Sequence, residues 1–281
     1  MEPEKRLYWR TGLLSAVCAA ALSCGMPRAA QAGPVTEAGE LVGLAMGAPL
    51  PEGVYFVDTG SMVSLGHNYN TTLFVNIPVV AYSTPWKLFG GRVEGYIAVP
   101  ELYEGVKGSA STAGLYNPAL LVGEAWDLGN GWGFSDFVGG YAPMNSPITR
   151  GQNEWVFNNR AALSYTANGY DLTAHITYGV TGSSEGADQG ETPSPDYINY
   201  DITATKTFGK WELGPIAFGT NDVSRGSGSH LFELGGLVGY AFGPLSLQVY
   251  GSHSVSASPD YGDGDSRVFL RIVVPLWNPG S

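Results

Sequence analysis

From Gly53 to Trp277 apolar and polar residues alternate with a period of two, and the connections between the alternating stretches sort into short and long ones. Leu172, Ala174, Ile176, Tyr178 and Val180 alternate with Thr173, His175, Thr177 and Gly179. Ile198, Tyr200, Ile202 and Ala204 oppose Asn199, Asp201, Thr203 and Thr205, and Val268, Leu270, Ile272, Val274 and Leu276 alternate with Arg267, Phe269, Arg271 and Val273. Successive side chains of a strand point to opposite faces, so this period marks half-buried β-strands rather than helices. The pattern predicts about twelve strands, at 54–66, 70–83, 91–100, 114–127, 131–142, 154–167, 170–181, 196–208, 210–221, 230–242, 244–255 and 266–277. Short turns at Leu128-Gly129-Asn130, Ala167-Asn168-Gly169, Phe208-Gly209-Lys210 and Phe242-Gly243-Pro244 alternate with long connections at 101–113, 143–153, 182–195, 222–229 and 256–265. Asn and Gly supply the positive φ that tight hairpins need. Tight turns at one end and long loops at the other are the habit of a membrane barrel, and a soluble sandwich has no reason to sort them. Connections 67–69 and 84–90 depart from the rule, which makes the first hairpin the least regular.

Composition agrees. Only 14% of residues are charged, against about a quarter in a soluble domain, and no long apolar run follows Gly33, so no helix is expected to cross a bilayer. Low charge without such a helix implies an outer face that meets lipid through alternate residues. The expected fold is all-β: a closed antiparallel up-and-down transmembrane β-barrel. Trp86, Trp126, Trp132, Trp211, Phe208, Phe242 and Trp277 fall at one set of strand ends, as in an interfacial aromatic girdle, and Tyr69, Trp155 and Tyr197 suggest a second at the other. The formal charge of −11 leaves no basic patch to neutralise phosphates, which excludes nucleic acid as a partner.

Residues 1–32 read as a secretory signal. Lys5, Arg6 and Arg10 form a positive region, Thr11 to Met26 a short apolar run, and Ala30-Gln31-Ala32 a small-residue cleavage site before Gly33. Both cysteines, Cys18 and Cys24, lie inside it, so a mature chain would carry no disulfide, thiol nucleophile or cysteine-ligated metal. Residues 33–52 are rich in Gly and Pro and mildly helical over Thr36 to Met46; they either lie in the periplasm or tuck into the barrel mouth.

No motif announces catalysis, and no cofactor or metal site is expected. His67, His175, His230 and His253 are isolated and lack ligand spacing. Ser252-His253-Ser254 raises the thought of a lipid hydrolase working from the outer membrane, but no partnered acid or amide can be named. Glu185, Asp188, Glu191 and Asp196, and Asp260, Asp263 and Asp265, make acidic outer loops suited to solvent or to lipopolysaccharide bridged by cations. By strand parity Arg92, Glu94, Glu124, Arg160, His175, Asp201, Glu233, Gln248 and Arg271 point into the lumen. Their mixed signs imply a neutral, hydrogen-bonded constriction, or a set that simply fills a narrow barrel and satisfies its own charges. Parity places few aromatics inward, with Tyr96, Trp126 and Phe269 the clearest. Pro78, Pro118, Pro215 and Pro275 lie inside strands and mark lost ladder bonds where the wall would part most easily.

Several stretches carry a family resemblance: Pro51 to Phe56 (PEGVYF), Ser83 to Lys87 (STPWK) with Gly90 and Gly91, Gly133 to Pro143 (GFSDFVGGYAP), Gly239 to Leu247 (GYAFGPLSL) and Val268 to Trp277 (VFLRIVVPLW). In these the chain resembles the outer-membrane proteins named for the meta-pathway of phenol degradation. That resemblance implies a barrel in the outer membrane of a Gram-negative bacterium, working as a porin-like transporter of aromatic or other small hydrophobic solutes. The expectation is therefore a monomeric channel for passive passage of small hydrophobic or weakly polar molecules, with lipid, lipopolysaccharide and a small solute as its partners. The alternatives are a closed structural or surface-binding barrel and, less favoured, the lipid hydrolase.

Overall fold

The computed structural model describes residues 35–65, 71–106, 111–149, 154–184, 194–224, 228–258, 261 and 265–279. The expected signal sequence lies outside these residues. Fourteen strands follow in order: β1 (Gly53–Leu65), β2 (Thr71–Leu88), β3 (Gly91–Ala98), β4 (Glu101–Val106), β5 (Ser111–Leu115), β6 (Ala119–Gly129), β7 (Trp132–Tyr141), β8 (Glu154–Tyr165), β9 (Tyr170–Ser184), β10 (Tyr197–Phe208), β11 (Trp211–Asp222), β12 (His230–Phe242), β13 (Leu245–Ala257) and β14 (Ser266–Trp277). Each pairs antiparallel with its neighbours, and β1 closes the ring by pairing with β14 on one side and β2 on the other. Setting aside the β4–β5 hairpin leaves twelve strands in the ring, as the alternation predicted. Closure satisfies every wall in lipid because it abolishes the sheet edge.

Two features differ from the sequence reading. The stretch expected to be a long loop, 101–113, contains β4 and the start of β5, which prolong β3 and β6 past Pro100 and Pro118; β4 pairs with the upper half of β2 and β5 with β4. Of the two irregular connections, 84–90 becomes a short turn, because β2 runs on to Leu88 and turns through Phe89 and Gly90, both at positive φ, while 67–69 lies outside the described residues. The prolines explain the interruption. Val99 donates to the Pro78 carbonyl, Tyr116 to that of Pro100 and Ala142 to that of Pro118. Each proline accepts from the next strand and can donate nothing back, so three adjacent seams lose a ladder bond along one line.

The outside of the barrel is apolar. Val80, Ile97, Leu120, Val122, Val138, Ile176, Ile202, Leu234, Val238 and Leu270 are all exposed on strand faces. A contiguous surface of this kind belongs against acyl chains rather than water. Trp86, Trp132, Phe208, Trp211, Phe242 and Trp277 are exposed at the short-turn end, where a girdle was expected. Of the second girdle, Trp155 is exposed, Tyr69 lies outside the described residues and Tyr197 is buried in the lumen.

Residues 35–50 occupy the lumen. They form no helix: Val42 bonds back to Gly39, Leu44 to Leu41 and Ala48 to Ala45, a chain of separate turns. Gly39 (φ 91°) and Gly43 (φ 78°) sit in the left-handed region, where a right-handed helix cannot continue. The mild helical periodicity of Thr36 to Met46 is broken by its own glycines.

Candidate functional site

The plug is held mainly through its backbone. Gly39 N–H donates to Asp201 Oδ1 at 2.8 Å, Gly43 N–H to Thr203 Oγ1 at 2.7 Å, Gly47 N–H to Ser164 Oγ at 2.9 Å and Leu50 N–H to Glu94 Oε1 at 2.8 Å. Its carbonyls are met as well: Asn199 Nδ2 reaches Thr36 O, Tyr250 OH reaches Gly39 O, Arg271 reaches Glu40 O and Val42 O, Gln248 Nε2 reaches Gly43 O and Ser135 Oγ reaches Met46 O. A buried backbone group left unpaired costs about 1–3 kcal/mol, so a segment without regular structure needs such partners to enter a lumen. Spacing the glycines as Gly39, Gly43 and Gly47 lets the backbone reach the wall. A Cβ at Gly43 would lie 2.5 Å from Leu237 Cδ1, and one at Gly47 would lie 2.5 Å from the Ser164 backbone nitrogen.

Side-chain charges add two latches. Arg160, 3% exposed, donates Nη1 to Glu40 Oε1 at 2.7 Å and Nη2 to Tyr141 OH at 3.0 Å, with Asn158 Oδ1 taking Nε at 3.3 Å. Ser61 Oγ donates to Glu37 Oε1 at 2.5 Å. Around them His175 Nδ1 lies 3.2 Å from Asp201 Oδ2, and Arg267 Nε donates to Glu233 Oε1 at 2.6 Å. Burial pushes the carboxyl of Glu40 upward from its ordinary value, with Arg160 opposing. Burial likewise raises Glu37 to about 7, against the Ser61 bond and the Arg267 charge.

That shift gives docking a pH dependence. Undocked in water, Glu37 titrates near 4.5; docked, near 7. Docking therefore takes up a proton between those values, and its contribution is complete below 4.5 and lost as the pH rises through about 7. The undocked fraction should climb with pH across that window, by up to about tenfold per unit. Single-channel recording from pH 4.5 to 8 measures it, and Glu37→Gln should flatten the rise.

Between plug and wall lies a cavity of about 230 Å³. Leu41, Leu44 and Met46 line it from the plug, facing Ile77, Tyr96 and Phe137 on the wall. The Tyr96 and Phe137 rings lie 5.6 Å apart and tilted. Glu40 and Arg160 sit at one polar side and Glu94 at another. The opposite side of the plug has no such room: Ala38 and Val42 pack against Ile216, Phe218, Leu237, Tyr250 and Phe269. Toward the long-loop end Ile148, in the stretch after β7, packs onto the lumen's apolar cluster, with Ser146 Oγ bonded to Leu115 O.

Most of the expected lumen residues converge here, but their targets differ from the expectation. Glu94, Arg160, Asp201, Gln248 and Arg271 bind the plug instead of facing one another across an open constriction. His175 braces Asp201, Glu233 takes Arg267 and Ser252 instead, and Arg92 lies low in the wall with Nη1 on Thr84 O at 3.0 Å. Glu124 is a correction. In β6 Ala119, Leu121 and Ala125 are buried while Leu120 and Val122 are exposed, so Glu124 faces outward, opposite Asp136. The break at Tyr116–Pro118 shifts the alternation by one, which flips every later face of that strand. Trp126 turns outward for the same reason and stacks on the exposed Phe134.

The lumen is also richer in aromatics than parity suggested, since Tyr116, Phe137, Tyr141, Tyr197, Phe218 and Tyr250 all point in. Of the histidines, His67 lies outside the described residues and His253 Nδ1 meets Ser266 Oγ at 3.0 Å on an exposed rim. Ser252 instead bonds Glu233 in the lumen, and no acid or amide among the described residues orients the second nitrogen of His253. Among the acidic-loop residues Asp196 accepts from Thr181 N–H and Asp265 is buried, while Glu185, Asp188, Glu191, Asp260 and Asp263 lie outside the described residues.

Comparison with known proteins gives three findings. A family model described as "Putative MetA-pathway of phenol degradation" matches residues 53–272. The COG4313 outer membrane channel from Pseudomonas putida F1 superposes with a TM-score of 0.68 at 13% identity, covering 81% of this chain and 97% of its own. The CymD monoaromatic hydrocarbon channel superposes less closely, with a TM-score of 0.48 at 8% identity over 80% and 88% of the two chains. No curated protein sequence matches significantly.

Proposed function

We propose, from the premise that this chain belongs to the family described as the MetA pathway of phenol degradation, that it is an outer-membrane channel for passive passage of small hydrophobic or weakly polar molecules, aromatic ones among them. The observation that carries the reading is the apolar cavity between plug and wall. A lumen built only to hold a barrel shut would be packed to interior density. This one keeps about 230 Å³ lined by aliphatic and aromatic side chains, and a dry cavity of about 150 Å³ already takes benzene. The structural relative of TM-score 0.68 is itself named an outer membrane channel. In this reading a signal cleaved after Ala32 delivers a monomer to the outer membrane, where its belt meets lipid and its acidic loops meet lipopolysaccharide, and the protein performs no catalysis.

Liposome swelling with purified protein tests it. One-ring solutes should enter faster than sugars of similar size, and Ala98→Phe, which fills the cavity wall, should slow them by about fivefold or more. No flux of any solute through a correctly folded barrel sinks the channel reading. A closed structural or surface-binding barrel, which the occupied lumen favours, would then stand.

A further inference from the structure

We propose that Arg160 recognises a small aromatic carboxylate, which replaces the Glu40 carboxylate on the guanidinium and thereby opens the charged latch between plug and wall. The proposal rests on the channel reading and adds to it a ligand class and a coupling between ligand and plug.

Arg160 is the cation among the side chains that line the cavity, and it lies beside its competitor, Glu40. The other lining acid, Glu94, is already engaged by Leu50 N–H and Ser83 Oγ. The guanidinium is shared between two bodies. The wall supplies Asn158 and Tyr141, and the plug supplies Glu40 with a longer contact from Thr36 at 3.4 Å. A ligand carboxylate can take the Glu40 position while the wall keeps the guanidinium oriented. The exchange keeps the guanidinium paired, and the Glu40 carboxylate it frees turns to water or takes up a proton. Stripping a partner from a buried arginine is expensive because it leaves an uncompensated ion, and one carboxylate for another avoids that cost.

A second observation points to a ligand. The Tyr96 hydroxyl is buried beside Arg160, whose guanidinium carbon lies 5.9 Å from its ring, and among the described residues no group other than Arg160 meets it. It is placed to serve a second ligand oxygen beside the Nη1 that Glu40 would vacate. The ring of the ligand would rest between Tyr96 and Phe137 and the plug's Leu41 and Leu44. A neutral aromatic can fill the same apolar space, but it brings nothing to Arg160 and leaves the latch shut. Once Glu40 is displaced, the plug loses its charged anchor to β8 and retains the Thr36 hydroxyl on Asn158 Oδ1 at 3.0 Å and the backbone bonds at Gly39, Gly43 and Gly47.

Calorimetric titration of the full, detergent-solubilised barrel with benzoate and with benzyl alcohol, near neutral pH, decides the matter. Benzoate should bind at least about tenfold more tightly than benzyl alcohol, as charge-assisted bonds require. Glu40→Gln, which removes the competing carboxylate while leaving Arg160 in place, should tighten benzoate about tenfold again or more. Equal affinity for the two ligands, or unchanged benzoate affinity in Glu40→Gln, overturns the exchange. Flux through liposomes is read separately: solutes that cross without regard to charge keep the channel and discard the latch, whereas tight benzoate binding without any flux keeps the recognition and discards the channel.

Discussion

Deleting residues 36–49 from the mature barrel should raise its single-channel conductance by on the order of tenfold or more. The wall does not depend on the plug for its own hydrogen bonds, because β1 to β14 pair around a closed ring from Gly53 to Trp277. The plug by contrast fills the lumen from Val35 to Leu50 and is held there by side chains of seven or more strands, among them Asp201, Thr203, Ser164 and Arg271. Removing it leaves those polar groups to water, which can enter a polar lumen and bond them. A heat-dependent mobility shift on a denaturing gel reports whether the deleted protein still folds. Should a folded deletion conduct no better than the parent, the barrier is the stretch around Ile148 at the long-loop end instead.

The second large effect is expected from Arg271→Met. Arg271 is fully buried and donates to two plug carbonyls, Glu40 O and Val42 O, as well as to Tyr250 OH at 2.8 Å, Thr59 Oγ1 at 2.9 Å and Gln248 Oε1 at 3.2 Å. Methionine fills similar space without any donor. Two carbonyls lose a charged partner, and breaking such a buried set costs about 3–5 kcal/mol. Because the loss falls on docking, the open population should rise by roughly a hundredfold or more while the barrel remains. Recording open probability alongside the gel shift separates the two. A variant that stays closed would show that Arg271 braces the wall and not the plug.

Much of the fold could be read from residues alone. A strict period of two in Leu172 to Val180 and in Arg267 to Leu276 leaves little choice of element or face, and Asn168-Gly169 fixes its turn chemically. Misreadings arose where parity was carried through an unseen irregularity. Tyr116–Pro118 inserts a break in the fourth strand of the ring, which puts Glu124 and Trp126 on the face opposite to the one that parity alone assigns. The hairpin at 101–115 escapes because Pro100 reads as the end of a strand, and it is a break in a longer strand only because β2 offers an upper half to pair with.

The site was legible as a list and not as an arrangement. Arg160, Asp201, Gln248 and Arg271 were expected inside, and they are. Their purpose depends on the chain at 35–50, whose signal was the four-residue spacing of Gly39, Gly43 and Gly47. Read as a weak helix, that spacing has no meaning; read as backbone meeting wall, it sets the register of docking.

Because the wall grips this segment by its amides and carbonyls, three of the side chains that shape the cavity, Leu41, Leu44 and Met46, bear little of the grip. Substitutions there can remodel the space offered to a solute while the same bonds hold the segment in place. Inheritance can thus retune what such a barrel admits by editing one short exchangeable stretch, with the costly wall left untouched.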